Sequence, residues 1–316
     1  MTAIVEASKV GRFVRKASAF RNWITVDGSS GFKPEADRYH LYVSLACPWA
    51  HRTLIVRKIK GLEDVIPYTV VDWLMGPKGW NFTDKKPKCT LDPVNNAEYL
   101  REIYEKAEPG YSGSITVPCL WDKKTGTIVN NESSEIIRMF NNSFQDFCQT
   151  DEQRKVDLYP ENLREEIEQL NSWIYPNINN GVYRAGFATT QEAYDEAVRQ
   201  VFVHLDKVEE ILRGKRYLTG NTFTEADVRL FTTLVRFDTV YVGHFKCNKK
   251  RIVDYPSIWG YVRDIYQSYG IAETVDQEHI QKHYQGSHKK INPLGIIAIG
   301  PDLDFDSPHG REALSI

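Results

Sequence analysis

The chain has 316 residues, 41% hydrophobic and 26% charged, which is the balance of a globular protein and excludes a largely disordered or fibrous chain. Its 40 Lys and Arg residues and 42 Asp and Glu residues leave a net charge of −2, so no overall field favours nucleic acid or an anionic membrane. At roughly 150 residues per domain, this length predicts two domains.

Apolar patterning and cysteine use predict a protein of the cell interior. No apolar stretch approaches the roughly 20 residues that cross a bilayer, and the N-terminus lacks the apolar core of a secretory signal. The five cysteines are Cys47, Cys89, Cys119, Cys148 and Cys247. They are widely spaced and contain no C-x-x-C pair, which argues against a disulfide framework and against a zinc knuckle. We therefore expect a cytoplasmic protein in which any functional cysteine acts alone.

Residues 1–35 form an N-terminal extension ahead of the first predicted strand. The first 24 of these residues carry five basic side chains against one acidic residue, Glu6. Mitochondrial transit peptides share this composition, so mitochondrial targeting is the alternative to a cytoplasmic location.

Residues 36–145 alternate between strand-like and helix-like patterns. A helix pattern joins the first two strands, and a strand that follows such a crossover pairs parallel with the first. In chain order the predicted elements are strand 38–45, helix 48–60, strand 65–71, helix 98–107, strands 116–121 and 127–130, and helix 131–140. The order βαβαββα predicts an α/β domain.

The segment 72–96 shows no period and is rich in Gly, Pro, Lys and Asn. A loop of this length inside a domain is usually retained for function. Trp73 and Trp80 stand out within it, because aromatic side chains suit sites that stack planar ligands.

Beyond about residue 150 the strand patterns disappear, and residues 155–275 are predicted to form an all-helical domain. The predicted helices are 160–178, 190–213, 225–239 and 256–269. The third begins with Thr224-Glu-Ala-Asp227, a capping box in which each side chain pairs with the other residue's amide. Residues 276–316 contain many Gly, Pro, Asn and Asp residues and are predicted to be an extended tail.

Cys47 lies between a predicted strand and a predicted helix, in the motif LACPWAHR. Unpaired amides and the helix dipole at such a position stabilise negative charge and lower the pKa of a thiol. Ala50 stands where a dithiol oxidoreductase has its second cysteine, so we predict monothiol chemistry. A mixed disulfide on Cys47 then needs an external thiol, for which glutathione is the abundant cytosolic candidate. The alternative is a buried, inert cysteine.

Residues near Cys47 in sequence or in the predicted fold are candidates for the same site. His51 and Arg52 either add positive charge near the sulfur or belong to a solvated helix face. Val117 precedes a proline and a strand, and a cis bond there would leave its backbone groups open to pair with a peptide ligand. Glu132 and Ser133 begin a helix whose free amides can hold an α-carboxylate while Glu132 takes the amine, unless they only cap the helix.

These features together resemble the thioredoxin-like glutathione transferases. More narrowly, five segments resemble the glutathionyl-hydroquinone reductases, the Xi class of that superfamily: FVRKASAFRNWI, LYVSLACPWAHR, GWNF, FTEADVRLFTTLVRFDTVYVGHFKCN and GSHKKINPLGI. The resemblance runs from about residue 11 to residue 301. It implies a thioredoxin-like N-terminal domain, followed by a glutathione-transferase helical C-terminal domain. It also implies that the basic N-terminal segment belongs to the mature fold.

The resemblance implies an enzyme that reduces glutathionyl-hydroquinones to hydroquinones through a Cys47-glutathione mixed disulfide, releasing oxidised glutathione. Glutathione is then the co-substrate, with no metal or nucleotide, and the protein is a homodimer. Cys47 becomes the catalytic residue, and the implied glutathione-binding residues are Trp80, Val117, Glu132 and Ser133.

The resemblance also points to tyrosines on the side of the aromatic acceptor. Tyr183 in NNGVYRAGF and Tyr241 in DTVYVGHF match tyrosine-bearing segments of the family, and Tyr284 in HYQGSH is a weaker match. A hydroxyl from one of them can protonate the carbon that leaves glutathione, or stabilise a keto tautomer of the hydroquinone. The alternative for each is ordinary packing.

Three other functions stay open from sequence. An Omega-like thiol transferase or dehydroascorbate reductase would share Cys47 and glutathione but use another acceptor. A non-catalytic glutathione-fold interaction module would have lost its site. His279, His283 and His288 form a possible metal set, although no carboxylate or cysteine cluster accompanies them. The four remaining cysteines are interpreted as structural, and Cys247 is expected to lie near the active-site helices.

Overall fold

The computed structural model describes residues 10–314, which fall into two units. Unit 1 comprises Lys16–Asp157 and Thr274–His283, and unit 2 comprises residues 10–15, Leu158–Glu273 and residues 284–314. Residues 1–9, with Glu6 of the basic segment, lie outside the described residues. None of the helices in the described part of the chain is both long and apolar enough to span a membrane.

Within the described residues, unit 1 is built on a four-stranded sheet with the strand order β2-β1-β3-β4. The strands are β1 (Tyr39–Val43), β2 (Tyr68–Val70), β3 (Cys119–Asp122) and β4 (Thr127–Asn130). β2 pairs parallel with β1, whereas β3 pairs antiparallel with both β1 and β4. The parallel pairing that the helical crossover predicts is confirmed.

Helices cover the sheet of unit 1. They are α1 (Pro48–Ile59), α2 (Leu100–Ala107), α3 (Ser133–Asn142) and the short α4 (Asp151–Lys155). α1 packs against α3, and α2 packs against β4. All five side chains of β1 are buried, so this central strand is covered on both of its faces. The predicted order βαβαββα is confirmed up to α3, and α4 is an element that the sequence patterns missed.

Part of the N-terminal extension lies along the edge of this sheet. The amide of Asn22 donates to the carbonyl of Val129 at 3.0 Å, and the amide of Asn131 donates to the carbonyl of Phe20 at 3.0 Å. These bonds occupy backbone groups of an edge strand and of the residue after it, which would otherwise be open to pairing with another chain. The extension therefore contributes to the fold of unit 1.

His40 on β1 gives this sheet a dependence on pH. Its side chain is 2% exposed, and Nε2 hydrogen-bonds with Oγ1 of Thr69 at 2.7 Å. Burial lowers the pKa of His40 to about 4, below its ordinary value of 6.5. The folded state therefore binds this proton more weakly than the unfolded state does. The resulting stabilisation is complete above pH 6.5 and is lost as the pH falls toward 4.

We expect His40→Gln to flatten the pH dependence of stability, because glutamine keeps a hydrogen-bonding group near Thr69 and does not titrate. Between pH 7 and pH 4 the wild type should lose about 3 kcal/mol more unfolding free energy than the variant does, since a pKa unit corresponds to about 1.4 kcal/mol. Urea denaturation of both proteins at a series of pH values measures this difference. Parallel curves would show that His40 does not control the acid sensitivity.

The elements named within the described residues of unit 2 are all helices, joined by irregular segments. Its helices are α5 (Arg164–Ile174), α6 (Gly181–Gly186), α7 (Gln191–Gly214), α8 (Glu225–Arg236) and α9 (Pro256–Gln267). α7 packs against α6 and α9. Every residue of α8 is buried, which makes α8 the central helix of this unit. The predicted Thr224–Asp227 capping box at the start of α8 is confirmed.

The last helix, α10 (Gln277–Ser287), corrects the sequence analysis. We predicted an extended tail over residues 276–316, but its first part is helical. The helix follows Asp276, whose carboxylate accepts a hydrogen bond from the amide of His279 at 2.7 Å. The apolar pattern missed this helix because His279 and His283, which count as polar residues, are buried in it.

Candidate active site

Cys47 occupies the position directly before α1, with Pro48 as the first helical residue. Its backbone is extended (φ −76°, ψ 121°), and its amide donates to the carbonyl of Ser44 at 3.1 Å. The side chain is half-buried, and its Sγ lies 3.5 Å from the carbonyl oxygen of Val117. The amides and dipole at a helix start stabilise a thiolate. The position therefore suits a nucleophilic cysteine and not the buried, inert cysteine of the alternative interpretation.

Val117 faces this sulfur from the segment that leads into β3. The peptide bond between Val117 and Pro118 is cis. The Val117 carbonyl accepts the thiol hydrogen of Cys47, and the Val117 amide has no hydrogen-bond partner among the described residues. An unpaired backbone amide beside a nucleophile can donate a hydrogen bond to the backbone of an extended peptide ligand.

Glu132 places a negative charge at the start of α3. Its Oε1 accepts hydrogen bonds from the amide of Ser134 at 3.1 Å and from Oγ of Ser134 at 3.0 Å. Its Oε2 accepts from Oγ of Ser18 at 3.0 Å. Burial would raise the pKa of Glu132, but the bonds from Ser134 and Ser18 and the charge of Arg52 together hold the pKa below its ordinary value. The carboxylate is therefore ionised at neutral pH and can pair with an ammonium group.

His51 and Arg52 face the interior of the protein. Their exposed fractions are 0% and 1%, so the alternative of a solvated helix face is wrong. Nη1 of Arg52 lies 3.4 Å from Oγ of Ser133, and its guanidinium lies 4.5 Å from the ring centre of Trp49. Nε2 of His51 hydrogen-bonds with Oγ1 of Thr274 at 2.8 Å. Arg52 thus brings positive charge to the start of α3, where Ser133 is the first helical residue.

Trp80 belongs to the irregular segment 72–96 of unit 1. Its side chain is 8% exposed, and its carbonyl accepts a hydrogen bond from the amide of Leu100 at 3.0 Å. Its ring stacks on the imidazole of His283, with the ring centres 4.9 Å apart and the planes at 24°. The predicted glutathione-binding residues Trp80, Val117, Glu132 and Ser133 all lie in unit 1 with Cys47.

The three predicted tyrosines meet in unit 2. Tyr183 lies on α6, Tyr241 ends a π-helical turn after α8, and Tyr284 lies on α10. The hydroxyl of Tyr284 hydrogen-bonds with that of Tyr241 at 2.9 Å and also with that of Tyr183. Burial raises the pKa values of Tyr241 and Tyr284 well above 10. Tyr183 is only half-buried, and the Arg15 guanidinium lies 4.9 Å from its ring centre.

The histidines of the metal hypothesis are engaged in other contacts. Nε2 of His279 and Nδ1 of His283 donate to the carbonyls of Pro87 and Trp73, both at 2.8 Å. Nδ1 of His288 hydrogen-bonds with another imidazole at 3.1 Å. No group of three or more His, Cys, Asp or Glu side chains within residues 10–314 is placed to hold a metal ion.

The four remaining cysteines are buried and unpaired by disulfides, as a structural role requires. Burial raises the pKa of Cys247 to about 12, and it also raises the pKa values of Cys89 and Cys119. Thiols held in the protonated state in this way are poor nucleophiles. Cys47 is therefore set apart from them by its exposure and by its place at a helix start.

Two contacts at the site involve residues that the sequence analysis did not assign to glutathione binding, since it named His283 only as a possible metal ligand. Ser18 reaches Glu132 from the N-terminal extension, and His283 reaches Trp80 from α10. Neither residue lies near its partner in sequence. The available signals were that Ser18 lies in the family-like segment FVRKASAFRNWI and that His283 directly precedes Tyr284 in HYQGSH.

Models of the glutathione S-transferase family match both halves of the chain. The N-terminal domain model matches residues 46–143, and the C-terminal domain model matches residues 191–264. These matches and the observed elements give a thioredoxin-like domain followed by a helical glutathione-transferase domain, as predicted.

The chain is similar over nearly its whole length to proteins of one class. It is 59% identical to glutathionyl-hydroquinone reductase YqjG of Escherichia coli, covering 96% of this chain and 93% of the relative. It is 48% identical to glutathionyl-hydroquinone reductase PcpF of Sphingobium chlorophenolicum, covering 93% of this chain and 91% of the relative.

Solved structures lead to the same class. The glutathione-bound structure of YqjG superimposes with a TM-score of 0.90 at 59% identity, covering 93% of this chain and 96% of that one. The glutathione transferase Xi of Phanerochaete chrysosporium superimposes with a TM-score of 0.93 at 52% identity, covering 97% of this chain and 98% of that one. The chain belongs to the glutathione S-transferase superfamily and, within it, to the Xi-class family that contains the glutathionyl-hydroquinone reductases.

Proposed function

We propose that this protein reduces glutathionyl-hydroquinones to hydroquinones, with glutathione as the reductant. The observation that carries the proposal is the half-buried Cys47 at the start of α1, with the open amide of Val117 beside it and Ala50 in place of a second cysteine. A single nucleophilic cysteine of this kind needs an external thiol to complete its cycle. The proposal also rests on relatives at 59% and 48% identity that bear the name of this activity.

Glutathione is held in this proposal by residues of unit 1. The Val117 amide supplies one backbone hydrogen bond to the extended tripeptide. The start of α3 and the Ser133 hydroxyl take the α-carboxylate of the γ-glutamyl group, and the Glu132 carboxylate takes its amine. Trp80 packs against the ligand from the segment 72–96. The two charges at the start of α3, Glu132 and Arg52, match the amine and carboxylate of such a ligand.

The reaction has two steps. In the first, the Cys47 thiolate attacks the sulfur of the conjugate, a disulfide forms, and the bond between that sulfur and the aromatic carbon breaks. The electron pair of this bond stays on the carbon, which takes a proton and leaves as hydroquinone. In the second, a glutathione thiolate attacks the mixed disulfide, releases oxidised glutathione and restores the Cys47 thiolate. The enzyme therefore follows ping-pong kinetics.

A carbon leaving group needs a proton, and we assign its delivery to the tyrosine cluster of Tyr183, Tyr241 and Tyr284. Burial keeps Tyr241 and Tyr284 protonated at neutral pH. Tyr284 bonds to both other hydroxyls, so a proton that leaves one hydroxyl can be replaced from the next. The same hydroxyls can also stabilise a keto tautomer of the hydroquinone by hydrogen bonding.

Tyr284→Phe should lower the turnover of a glutathionyl-hydroquinone by at least about 100-fold, since general acid catalysis contributes a factor of about 100 or more. Reduction of a simple mixed disulfide, whose leaving group is a sulfur atom, should change by less than about twofold. Tyr255→Phe is the matched control, because Tyr255 is a buried tyrosine of unit 2 that bonds to Asp206. Equal losses on the two substrates would show that Tyr284 has no role in proton delivery.

Product analysis tests the function. The protein is incubated with glutathionyl-menadiol and glutathione, and free menadiol and oxidised glutathione are quantified by chromatography. Equimolar release of the two products is the expected result. Reduction of hydroxyethyl disulfide or dehydroascorbate without release of menadiol would support an Omega-like thiol transferase instead. Absence of all these activities would support a non-catalytic interaction module.

The cytoplasm is the location we propose, because the reaction draws on a reduced glutathione pool and all five cysteines of the chain are free. We propose a homodimer as the assembly, on the ground of the family resemblance. Light scattering coupled to size-exclusion chromatography tests the assembly by giving the mass of the particle in solution.

A further inference from the structure

We infer that His283 is a positioning residue that holds Trp80 in place for glutathione. The inference deepens the proposed function, because it rests on the role proposed there for Trp80. The imidazole of His283 lies 4.9 Å from the Trp80 ring, with the two planes at 24°. An aromatic contact of this kind restrains the rotation of the Trp80 side chain.

His283 contacts the segment 72–96 at a second point. Its Nδ1 donates to the carbonyl of Trp73 at 2.8 Å. A carbonyl can only accept a hydrogen bond, so Nδ1 carries the proton and the orientation of the ring is fixed. With a side chain only 7% exposed, His283 joins Trp73 and Trp80 from within the protein.

The segment 72–96 contains no helix and no extended strand, and its main chain at Trp80 is held by backbone hydrogen bonds to residues 98–100. These bonds fix the backbone of Trp80 but leave the rotation of its side chain to the contacts of its ring. A binding residue in such a segment loses affinity when its bound position is only one of several that it adopts. The position of the Trp80 side chain therefore depends on ring contacts such as the one with His283.

The start of α10 is fixed to this segment at two further points. Nζ of Lys88 forms an ion pair with Asp276 at 2.6 Å, and Nε2 of His279 donates to the carbonyl of Pro87 at 2.8 Å. Asp276, just ahead of α10, and His279 and His283 within it all belong to unit 1. Residues 276–283 thus hold the segment 72–96, which carries Trp80, through these contacts.

The residues just ahead of α10 also contact α1, the helix that follows Cys47. Nε2 of His51 on α1 hydrogen-bonds with Oγ1 of Thr274, just ahead of α10. Both side chains lie in unit 1. A continuous set of contacts therefore runs from α1 through residues 274–283 to Trp80, and it fixes the Trp80 ring relative to the helix of the nucleophile.

The test measures glutathione binding by titration calorimetry, with no aromatic conjugate present, on the full-length protein. His283→Ala removes the ring and the donor, His283→Phe keeps a ring, and His283→Asn keeps a donor near the position of Nδ1. Glu278→Gln is the matched control, because Glu278 is an exposed residue of the same helix. Thermal midpoints of all variants report on folding.

We expect His283→Ala to raise the Kd for glutathione about three- to tenfold, as expected for the loss of one aromatic contact. His283→Phe should recover most of this loss, and Glu278→Gln should stay within about twofold of wild type. In steady-state assays the KM for glutathione should rise while kcat at saturating glutathione stays within about twofold. A variant that only damaged the fold would lower the thermal midpoint and kcat together.

A double-variant comparison separates an action through Trp80 from any other action of His283. In a Trp80→Leu background, His283→Ala should leave the Kd for glutathione unchanged, because the side chain that it positions is already absent. An undiminished effect in that background, or an unchanged Kd in His283→Ala alone, would overturn the inference. If His283→Ala does not fold, His283→Asn takes its place in both comparisons. The proposed function can fail in the menadiol assay while this binding result stands, so the two failures are distinguishable.

Discussion

Replacing Cys47 with serine should lower the turnover of a glutathionyl-hydroquinone by at least about a thousandfold. A serine hydroxyl is not ionised at neutral pH and cannot form the mixed disulfide through which both half-reactions pass. Serine replaces only the sulfur, with a smaller oxygen, so no steric clash is introduced and the start of α1 and the nearby Val117 carbonyl keep their arrangement. Steady-state rates with glutathionyl-menadiol and glutathione measure the loss.

Binding and folding controls decide how a loss of turnover is interpreted. The Kd of the Cys47→Ser variant for glutathione should stay within about threefold of wild type, because the proposed contacts at Val117 and Glu132 persist. Cys148→Ala is the matched cysteine control, since Cys148 is a buried thiol of unit 1. It should keep at least half of the wild-type rate. Residual turnover above about a tenth of wild type in Cys47→Ser would refute the covalent scheme.

Asp227→Ala should destabilise the protein by about 3–5 kcal/mol, because it leaves several buried donors without an acceptor. The Asp227 side chain is fully buried at the start of α8. Its Oδ1 accepts from the Leu218 amide and the Tyr261 hydroxyl, both at 2.9 Å. Its Oδ2 accepts from the Thr224 amide at 2.8 Å and from the Thr224 hydroxyl at 3.1 Å.

Comparing Asp227→Ala with Thr224→Ala, which changes the other residue of the capping box, tests this prediction. Thr224→Ala removes an ordinary N-cap side chain, which contributes about 1 kcal/mol. Asp227 does more, because it also ties α8 to α9 through Tyr261. Equilibrium unfolding in urea gives both free energies. A loss for Asp227→Ala no larger than that for Thr224→Ala would show that the additional bonds contribute little.

Local signals in the sequence predicted the parts of the fold that local interactions determine. The alternation of β1, the helix that follows Cys47 and the start of α3 all depend on residues within a few positions of one another. The same is true of the capping box, where Thr224 and Asp227 are three residues apart. These elements agree with the structure to within a few residues at their ends.

Contacts between distant residues could not be predicted in this way. The bond between His283 and Trp73 joins residues 210 positions apart, and that between His51 and Thr274 joins residues 223 apart. Besides α4, two further helices were missed for local reasons. α6 begins and ends with glycine, and α10 has buried histidines where an apolar pattern expects aliphatic side chains.

The candidate site likewise contains residues that local sequence signals predicted and residues that only the family resemblance indicated. Cys47, Glu132 and Ser133 could be predicted from the sequence on physical grounds, because each lies at the start of a predicted helix. Trp80 and the tyrosines rested on the family resemblance, because nothing in the periodicity predicts that Tyr183 and Tyr284 share a hydrogen bond. Their meeting depends on the packing of α6 and α10, which no segment of the sequence encodes alone.

The most direct test of the account is a single turnover followed by intact-protein mass spectrometry. Reduced enzyme is mixed with one equivalent of glutathionyl-menadiol in the absence of free glutathione. The expected result is one equivalent of free menadiol and an enzyme that carries one glutathionyl group, located on Cys47 by peptide mapping and removed when glutathione is added. Release of menadiol from an enzyme of unchanged mass, or a glutathionyl group on another cysteine, would contradict it.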